Sequence, residues 1–133
     1  MNELKNDLEI VIDVINRENY NMYYYSDSSD CVYGGYINSS IDSKILNINE
    51  KESQAFKHVF YGTSEVIRSY KYQFEDIIRR DNGEILFSNW YGYQVTYIPN
   101  DNKNTLKELK KECKDKNYYV IKLTDHWYQI MPN

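Results

Sequence analysis

Short strand-like segments recur along this sequence in pairs joined by turns rather than by helices, and this order leaves few folds open. Paired segments of this kind flank residues 26–30, 91–92 and 124–126. Between the pairs lie stretches whose apolar residues recur with the period of a helix. Because hairpins dominate over βαβ crossovers, we predict an α+β protein with a mainly antiparallel sheet and three to four helices. The expected order is α-βββ-α(α)-ββ-α-ββ, in a single globular domain over residues 1–133.

Two helices are predicted in the N-terminal half. The first covers residues 3–18, because its apolar residues share one helical face. These residues are Leu4, Leu8, Val11, Ile12 and Ile15. Asn49, with Glu52 three positions later, has the pattern of a helix N-cap and predicts the start of the second.

Two further helical signals follow. An apolar stripe runs from Val66 through Phe74 to Ile78, and it predicts a helix that ends before Asp81-Asn82-Gly83. The sequence leaves open whether residues 50–80 form one helix or two. Thr105 and Glu108 have the spacing of a capping box and predict the start of a Lys-rich helix over residues 103–116.

The remaining apolar segments are short enough for strands. The predicted strands cover residues 20–25, 31–37, 43–48, 85–90, 93–98, 118–123 and 127–131. Gly34 and Gly35 interrupt the second of them, and this predicts a bulge or a close approach of another part of the chain.

The amino-acid composition points to a low-GC genome and a non-membrane protein. Tyr occurs 15 times and Ala once, and the other frequent residues, Asn, Ile and Lys, also have AT-rich codons. This composition is typical of low-GC bacteria, their phages and mobile elements. No apolar run approaches the roughly 20 residues needed to cross a bilayer, and the N-terminus lacks a signal-peptide pattern. We therefore expect a cytoplasmic protein that does not bind membranes, with Cys31 and Cys113 as reduced thiols.

The charge is unevenly distributed along the chain. The net charge is −4, and residues 1–50 hold nine acidic and three basic residues, whereas residues 101–133 hold five acidic and seven basic ones. Sequence-independent binding to nucleic acid depends on Lys and Arg that neutralise phosphates. We therefore do not expect direct nucleic-acid binding, and we expect a partner that is itself basic.

No catalytic or metal-binding motif is present. The only histidines are His58 and His126, and Asp125 precedes the latter without a recognisable nucleophile motif. The cysteines and histidines are isolated in sequence, whereas structural zinc sites bring ligands in closely spaced pairs. Asp27 and Asp30 lack the calcium-loop pattern around them. We expect no enzymatic activity, no metal ion and no cofactor.

The tyrosine clusters indicate a surface for recognition, because Tyr buries a large ring while offering a hydroxyl group. Strand alternation puts Tyr23 and Tyr25 on the same face, and nearby carboxylates would add negative charge. The predicted binding residues are Tyr23, Tyr25, Asp27, Asp30, Tyr33, Tyr36 and Asp42.

These observations together predict a small non-enzymatic binding protein. Its expected partner is a basic protein or nucleoprotein, such as a CRISPR effector or another host nuclease, which it would inhibit as phage anti-CRISPR proteins do. An immunity protein or antitoxin would have the same sequence features. A third interpretation is a nucleic-acid-binding protein or nuclease that uses the Lys-rich helix 103–116 with His126. Interleaved acidic residues in that helix favour an ordinary solvated face.

Overall fold

The computed structural model describes residues 5–26, 28–36, 39–61, 74–88 and 94–132. The helices are α1 (Lys5–Glu18), α2 (Glu50–Tyr61) and α3 (Lys103–Asp115). The first four strands are β1 (Met22–Ser26), β2 (Cys31–Tyr36), β3 (Ser39–Ile45) and β4 (Asp76–Arg79). The last four are β5 (Ile85–Ser88), β6 (Gln94–Tyr97), β7 (Tyr118–Thr124) and β8 (Trp127–Pro132).

All eight of these strands belong to one sheet, in the order β3-β2-β1-β4-β5-β6-β8-β7. Every neighbouring pair is antiparallel. The predicted fold class, α+β with an antiparallel sheet built from hairpins, is confirmed. Strands β3 and β7 form the two edges of the sheet. None of the helices in the described ranges is long and apolar enough to span a membrane.

Hydrophobic cores lie on both faces of the sheet. The larger core joins α1 and α2 to side chains of β1, β4, β5 and β8, with Tyr23, Ile77 and Phe87 fully buried. The smaller core joins Leu109 and Cys113 of α3 to Tyr128 and Ile130 of β8. Since side chains alternate along a strand, α3 packs on the sheet face opposite to α1 and α2.

One predicted helix is wrong where the structure describes it. Residues 76–79 form β4, and Ile77 pairs with Tyr23 of β1 and with Phe87 of β5. Asp81-Asn82-Gly83 is the turn of the β4–β5 hairpin and not the end of a helix: Gly83 has φ +90 and donates to the Arg80 carbonyl. Phe74, Ile77 and Ile78 fit a helical stripe, but Ile77 and Ile78 pair with β1 on one side and β5 on the other, and this pairing decides their conformation. Residues 62–73 lie outside the described part.

The helix starts match the sequence patterns in one case and differ in another. The Asn49 side chain accepts from the Glu52 N–H at 2.8 Å, and the Glu52 carboxylate accepts from the Asn49 N–H at 3.0 Å, so the predicted cap is confirmed. At α3 the N-cap is Asn102, whose side chain accepts from the Thr105 N–H at 2.9 Å. The prediction that Thr105 is the cap was wrong, because Asn102 occupies this role three residues earlier.

The glycine pair in β2 behaves as predicted. The register with β3 shifts between Gly34 and Tyr36, which marks a bulge or irregularity. A Cβ atom on Gly34 would lie 2.6 Å from the Tyr20 ring, so only glycine allows Tyr20 to pack this closely on the strand. The predicted β5–β6 and β7–β8 hairpins are also confirmed in their pairing, although residues 89–93 lie outside the described part.

Candidate functional site

Two of the predicted binding residues are core residues. Tyr23 is 0% exposed and Tyr25 is 6% exposed, so neither ring is available at the surface where the predicted recognition patch would need it. Their shared face of β1 is the one that α1 and α2 cover. The Tyr23 hydroxyl donates to the Ile15 carbonyl at 3.1 Å and accepts from the Tyr20 N–H at 2.9 Å. Burial raises the pKa of Tyr23 to about 12.

The predicted carboxylates do not form a described patch with exposed rings. The Tyr25 hydroxyl donates to the Asp30 carboxylate, so Asp30 serves as the polar partner of a core residue at the β1–β2 turn. Asp27 lies outside the described residues, as does the side chain of Asp42. A binding role for these residues stays a prediction.

Tyr33 and Tyr36 are the predicted tyrosines whose side chains reach the surface. Tyr33 is half-buried and its ring stacks on Tyr24 with centroids 5.1 Å apart and planes 10° apart. Tyr36 is 48% exposed and its ring centroid lies 5.5 Å from that of Tyr20. Tyr24 and Tyr33 occupy the sheet face opposite to the one that buries Tyr23.

A cleft between α1 and the β7–β8 turn is lined mainly by polar and aromatic side chains. Its volume is about 450 Å³, which is within the size range of ligand-binding clefts. Helix α1 provides one wall, and β6 with the β7–β8 turn provides the other. The lining residues are Lys5, Glu9, Ile12, Asp13, Tyr97, Thr124, Asp125, His126 and Trp127.

The charge of this cleft is negative. Glu9 and Asp13 are exposed and lie one helical turn apart, so their carboxylates project from the same face of α1. Asp125 faces them from the β7–β8 turn, and its side chain is 90% exposed. Lys5 is the basic residue among the lining residues. Lys122 lies 3.5 Å from Asp125, but both side chains are exposed and such a pair is weak.

His126 is held in place by the connection between β6 and α3. Its backbone is left-handed, with φ +70, and its N–H donates to Asp101 at 3.0 Å. Its Nδ1 lies 2.9 Å from the Ile98 carbonyl and 3.4 Å from the Asp101 carboxylate. A carbonyl can only accept, so Nδ1 carries a proton and Nε2 of the neutral ring is left as an acceptor.

The pKa of Asp101 reflects this arrangement. Partial burial alone would raise the pKa of Asp101, but the hydrogen bond from the His126 N–H outweighs it, and the charge of His126 lowers the pKa further whenever that ring is protonated. The Tyr128 hydroxyl also donates to Asp101, at 3.2 Å. The net effect is a lowered pKa, so Asp101 is ionised at neutral pH and adds negative charge behind the imidazole ring.

Aromatic rings form the floor of the cleft. The Tyr97 ring lies 5.8 Å from the His126 ring and 5.1 Å from the Trp127 ring, measured between centroids. Trp127 is buried, whereas Tyr97 is half-buried and lines the cleft. A ring that borders carboxylates offers a cation both its π face and opposite charges.

Other candidate groups lie apart from this cleft. His58 is 3.1 Å from Asp7 and links α2 to α1 at the surface. Cys31 and Cys113 are free thiols, half-buried and buried respectively. Within the described residues, no three His, Cys, Asp or Glu side chains converge to hold a metal ion.

Sequence reasoning missed most of this site. The four-residue spacing of Glu9 and Asp13 was visible as a shared helical face. By contrast, Asp101 and His126 are 25 residues apart, and no local pattern connects them. Only the pairing of β6 with β8 brings these two residues together.

No protein-family model matches this chain, and neither does any curated protein or solved structure. Geometry and charge in the described residues are therefore the basis for inferring what the protein does.

Proposed function

We propose that this protein is a non-enzymatic binding protein that seats a cationic side chain of a basic protein or nucleoprotein in the cleft between α1 and the β7–β8 turn. By covering a basic surface, it would prevent the partner from binding nucleic acid. The observation that carries this proposal is the lining of the cleft, in which Glu9, Asp13 and Asp125 surround an aromatic floor.

The ligand group that fits the lining of this cleft best is an Arg or Lys side chain of the partner. Tyr97 offers a ring face, and a cation over an exposed ring gains about 0.5–1 kcal/mol. The carboxylates of Glu9 and Asp13 can accept hydrogen bonds from a guanidinium or ammonium group. Asp101 adds a longer-range attraction, because its lowered pKa keeps it charged.

A single cationic side chain would bind weakly. Each solvent-exposed ion pair is worth about 0.2–1 kcal/mol, so one guest in this cleft gains only a few kcal/mol at most. A partner with several basic residues would add contacts along the exposed part of α1 and increase the association rate through its charge. Surfaces that bind nucleic acid are rich in such residues. Carboxylates that occupy them take the place of phosphates.

The proposal can be tested with a defined basic peptide. Binding of fluorescent nona-arginine is measured for the wild type and for the double variant Glu9→Gln/Asp13→Asn. The control is Glu108→Gln/Asp115→Asn, which removes the same charge from exposed positions of α3. The cleft variant should bind about two- to thirtyfold more weakly, because two contacts of about 0.2–1 kcal/mol each are lost.

The control variant should bind like the wild type. Equal weakening by both variants would show that net charge and not the cleft determines binding, and would refute the proposal. A tagged protein, used in a pull-down from a low-GC bacterium with nuclease treatment, then identifies the partner. Retention of a basic protein by the wild type, and its loss from Glu9→Gln/Asp13→Asn only, is the expected result.

An immunity protein or antitoxin would use the same cleft in the same way. Its basic partner would be a toxin from the same operon. A toxin gene beside this one would therefore favour that form of the proposal.

A second candidate function is acid–base chemistry in the same cleft. The observation in its favour is His126, whose Nδ1 is held by Ile98 and Asp101 and whose Nε2 is left as an acceptor. The cleft lining provides Thr124 and Tyr97 as its hydroxyl groups and no Ser or Cys nucleophile. A screen for nuclease activity with wild type and His126→Gln separates the two functions: activity that the variant lacks would support chemistry.

A further inference from the structure

Strand β7 has one side without a partner strand in the described part of the chain, because it ends the sheet next to β8. The direction of its backbone groups follows from the neighbouring pair of strands. The Ile98 N–H donates to the His126 carbonyl at 2.8 Å, so this carbonyl points from the start of β8 toward β6. Because these directions alternate along an antiparallel strand, the backbone groups of Gln129 and Met131 point toward β7.

The β7–β8 register then fixes which groups of β7 point away from the sheet. Tyr119 and Ile121 are opposite the two residues of β8 whose groups point toward β7, so they direct their own groups to β8. The N–H and C=O groups of Tyr118, Val120 and Lys122 therefore point outward. Tyr118 and Lys122 are exposed and Val120 is half-buried. This edge can accept a further strand.

Helix α3 carries a row of lysines along one flank. At about 100° per residue, Lys103, Lys107, Lys110 and Lys114 fall within an arc of about 60°. We call these four residues the lysine flank. All four are exposed, and none takes part in an ion pair among the described residues. Their charges are therefore available to a ligand.

The packing of α3 places the lysine flank on the β7 side of the helix. Leu109 and Cys113 point into the smaller core beneath it. The opposite flank, which carries Glu108 and Glu112, borders grooves that it shares with the β4–β5 hairpin. In the sheet order, that hairpin and β7 lie on opposite sides of β8. A surface groove of about 320 Å³ follows the lysine flank over the half-buried Leu106.

The two faces of β7 differ in chemistry. Val120 packs against the smaller core under α3, and alternation puts Lys122 on this same face, where it adds a positive charge. Tyr119 and Ile121 lie on the other face and are 42% and 41% exposed. Neither of the two cores described above includes them. A strand added to β7 would meet lysines on one face and exposed apolar side chains on the other.

We propose that the β7 edge binds an extended acidic segment of a partner protein, which adds to the sheet as a further antiparallel strand. Directly opposite residues of an antiparallel pair share a face. Acidic side chains of the segment would therefore lie beside the lysine flank, and apolar ones would lie against Tyr119 and Ile121. The recognised pattern is an alternation of acidic and apolar residues, and outward backbone groups of β7 supply the hydrogen bonds.

Charge selects this occupant over two others. Two copies of the chain that paired antiparallel through β7 would carry both α3 helices on one face, so their lysine flanks would repel each other. A nucleic acid would satisfy the lysines, but it would leave the outward backbone groups of β7 and the apolar side chains of Tyr119 and Ile121 without partners. An acidic strand satisfies all three.

This site goes beyond the function proposed above and differs from the acidic cleft in place and in the charge of its ligand. Thr124, at the end of β7, lines the cleft, whereas residues 118–122 do not. The cleft takes a cation and the β7 edge takes carboxylates. Because each surface has its own probe and its own variants, failure of one proposal does not imply failure of the other.

The probe is a capped heptapeptide of alternating glutamate and valine, with glutamate at both ends. Its binding to the whole chain is followed by amide proton–nitrogen NMR at low salt. The largest shifts are expected at the amides of Tyr118, Val120 and Lys122, and their hydrogen exchange should slow because they become donors. A control peptide has the same composition with its three valines in one block. It should bind about fivefold more weakly or worse, because its side chains no longer match the two faces.

N-methylated peptides test the backbone pairing. The glutamates would be opposite Tyr118, Val120 and Lys122, so their N–H groups point toward β7, whereas those of the valines point away. N-methylation of the two internal glutamates should abolish binding, and N-methylation of two valines should leave it unchanged. Equal affinity of these two peptides would show that no strand is added, and would overturn the proposal.

The charge is tested with Lys107→Gln/Lys110→Gln, against Lys51→Gln/Lys57→Gln as a control that removes the same charge from exposed positions of α2. The flank variant should bind the alternating peptide about two- to thirtyfold more weakly, because two exposed ion pairs are lost. The control should bind like the wild type. Circular dichroism confirms that each variant is folded.

Three results would contradict the proposal. The first is the absence of shifts in β7 at millimolar peptide, and the second is equal weakening by both lysine variants. The third is equal affinity for a peptide in which lysine replaces each glutamate. Dimerisation of the protein alone in sedimentation experiments, with shifts at the same three amides, would instead assign the edge to a second copy and overturn the acidic partner.

Discussion

Replacement of Tyr23 by Phe isolates the contribution of one buried hydroxyl group to folding stability. The Tyr23 ring is fully buried, and its hydroxyl joins the end of α1 to the start of β1 through Ile15 and Tyr20. The change keeps the ring and removes both hydrogen bonds. The Ile15 carbonyl still accepts from the Asn19 N–H at 3.0 Å, but the Tyr20 N–H loses its partner.

The expected loss follows from these contacts. A typical hydrogen bond contributes about 0.5–1.5 kcal/mol net, and an unpaired buried donor costs about 1–3 kcal/mol. Tyr23→Phe should therefore lower the free energy of unfolding by about 2 kcal/mol. For a chain of this length the melting temperature should fall by roughly 6–10 °C.

The assay is urea denaturation followed by tryptophan fluorescence and far-UV circular dichroism. Tyr24→Phe is the matched control, because Tyr24 lies on the same strand but on the more open face, and it should change the free energy of unfolding by less than about 0.5 kcal/mol. If Tyr23→Phe were as stable as the wild type, or if both variants lost the same amount, the hydroxyl would not have the role described.

Two further predictions concern the same region. The pKa of Tyr23 is about 12 in the folded protein and 10.0 without burial, so the unfolded chain ionises first: stability is full below pH 10 and falls as the pH rises from 10 to 12. The urea midpoint of the wild type should decrease as the pH rises through this range, and the midpoint of Tyr23→Phe should decrease less. Identical pH profiles for the two proteins would contradict the assignment of this decrease to Tyr23. Gly34→Ala would place a Cβ atom 2.6 Å from Tyr20 and 3.1 Å from Leu46, and it should destabilise the fold by about 1–3 kcal/mol in the same assay. A neutral effect would mean that Tyr20 does not pack on β2 as described.

The sequence predicted local structure well where its residues fitted only one type of secondary structure. The apolar stripe of α1 and the Asn49–Glu52 cap both depend on contacts between residues close in sequence, and both are present. The apolar stripe around Ile77 was misleading, because a few apolar residues fit both the helical period and the strand period. Pairing with β1 and β5 decided that this segment forms a strand. The fold class survived this error, since β4 pairs with β5 as a further hairpin of the same antiparallel sheet.

The candidate site was harder to predict. Alternation correctly placed Tyr23 and Tyr25 on one face of a strand, but a period of two does not say which face the helices cover. The shared helical face of Glu9 and Asp13 could have been found from the sequence, because it depends only on helical geometry. The grouping of Glu9 with Asp125 and His126 could not, because their positions depend on how α1 packs against a hairpin more than 100 residues away.

The sequence by itself determined α1, the start of α2, the β1–β2 and β7–β8 hairpins and the charge pattern along each helix, since these depend on neighbours within a few residues. Only the tertiary structure decided which tyrosines are buried, that residues 76–79 form a strand, and where the acidic cleft lies. Burial and cross-strand pairing depend on surfaces that distant segments provide, and the free energy gained there exceeds the local preferences of the chain.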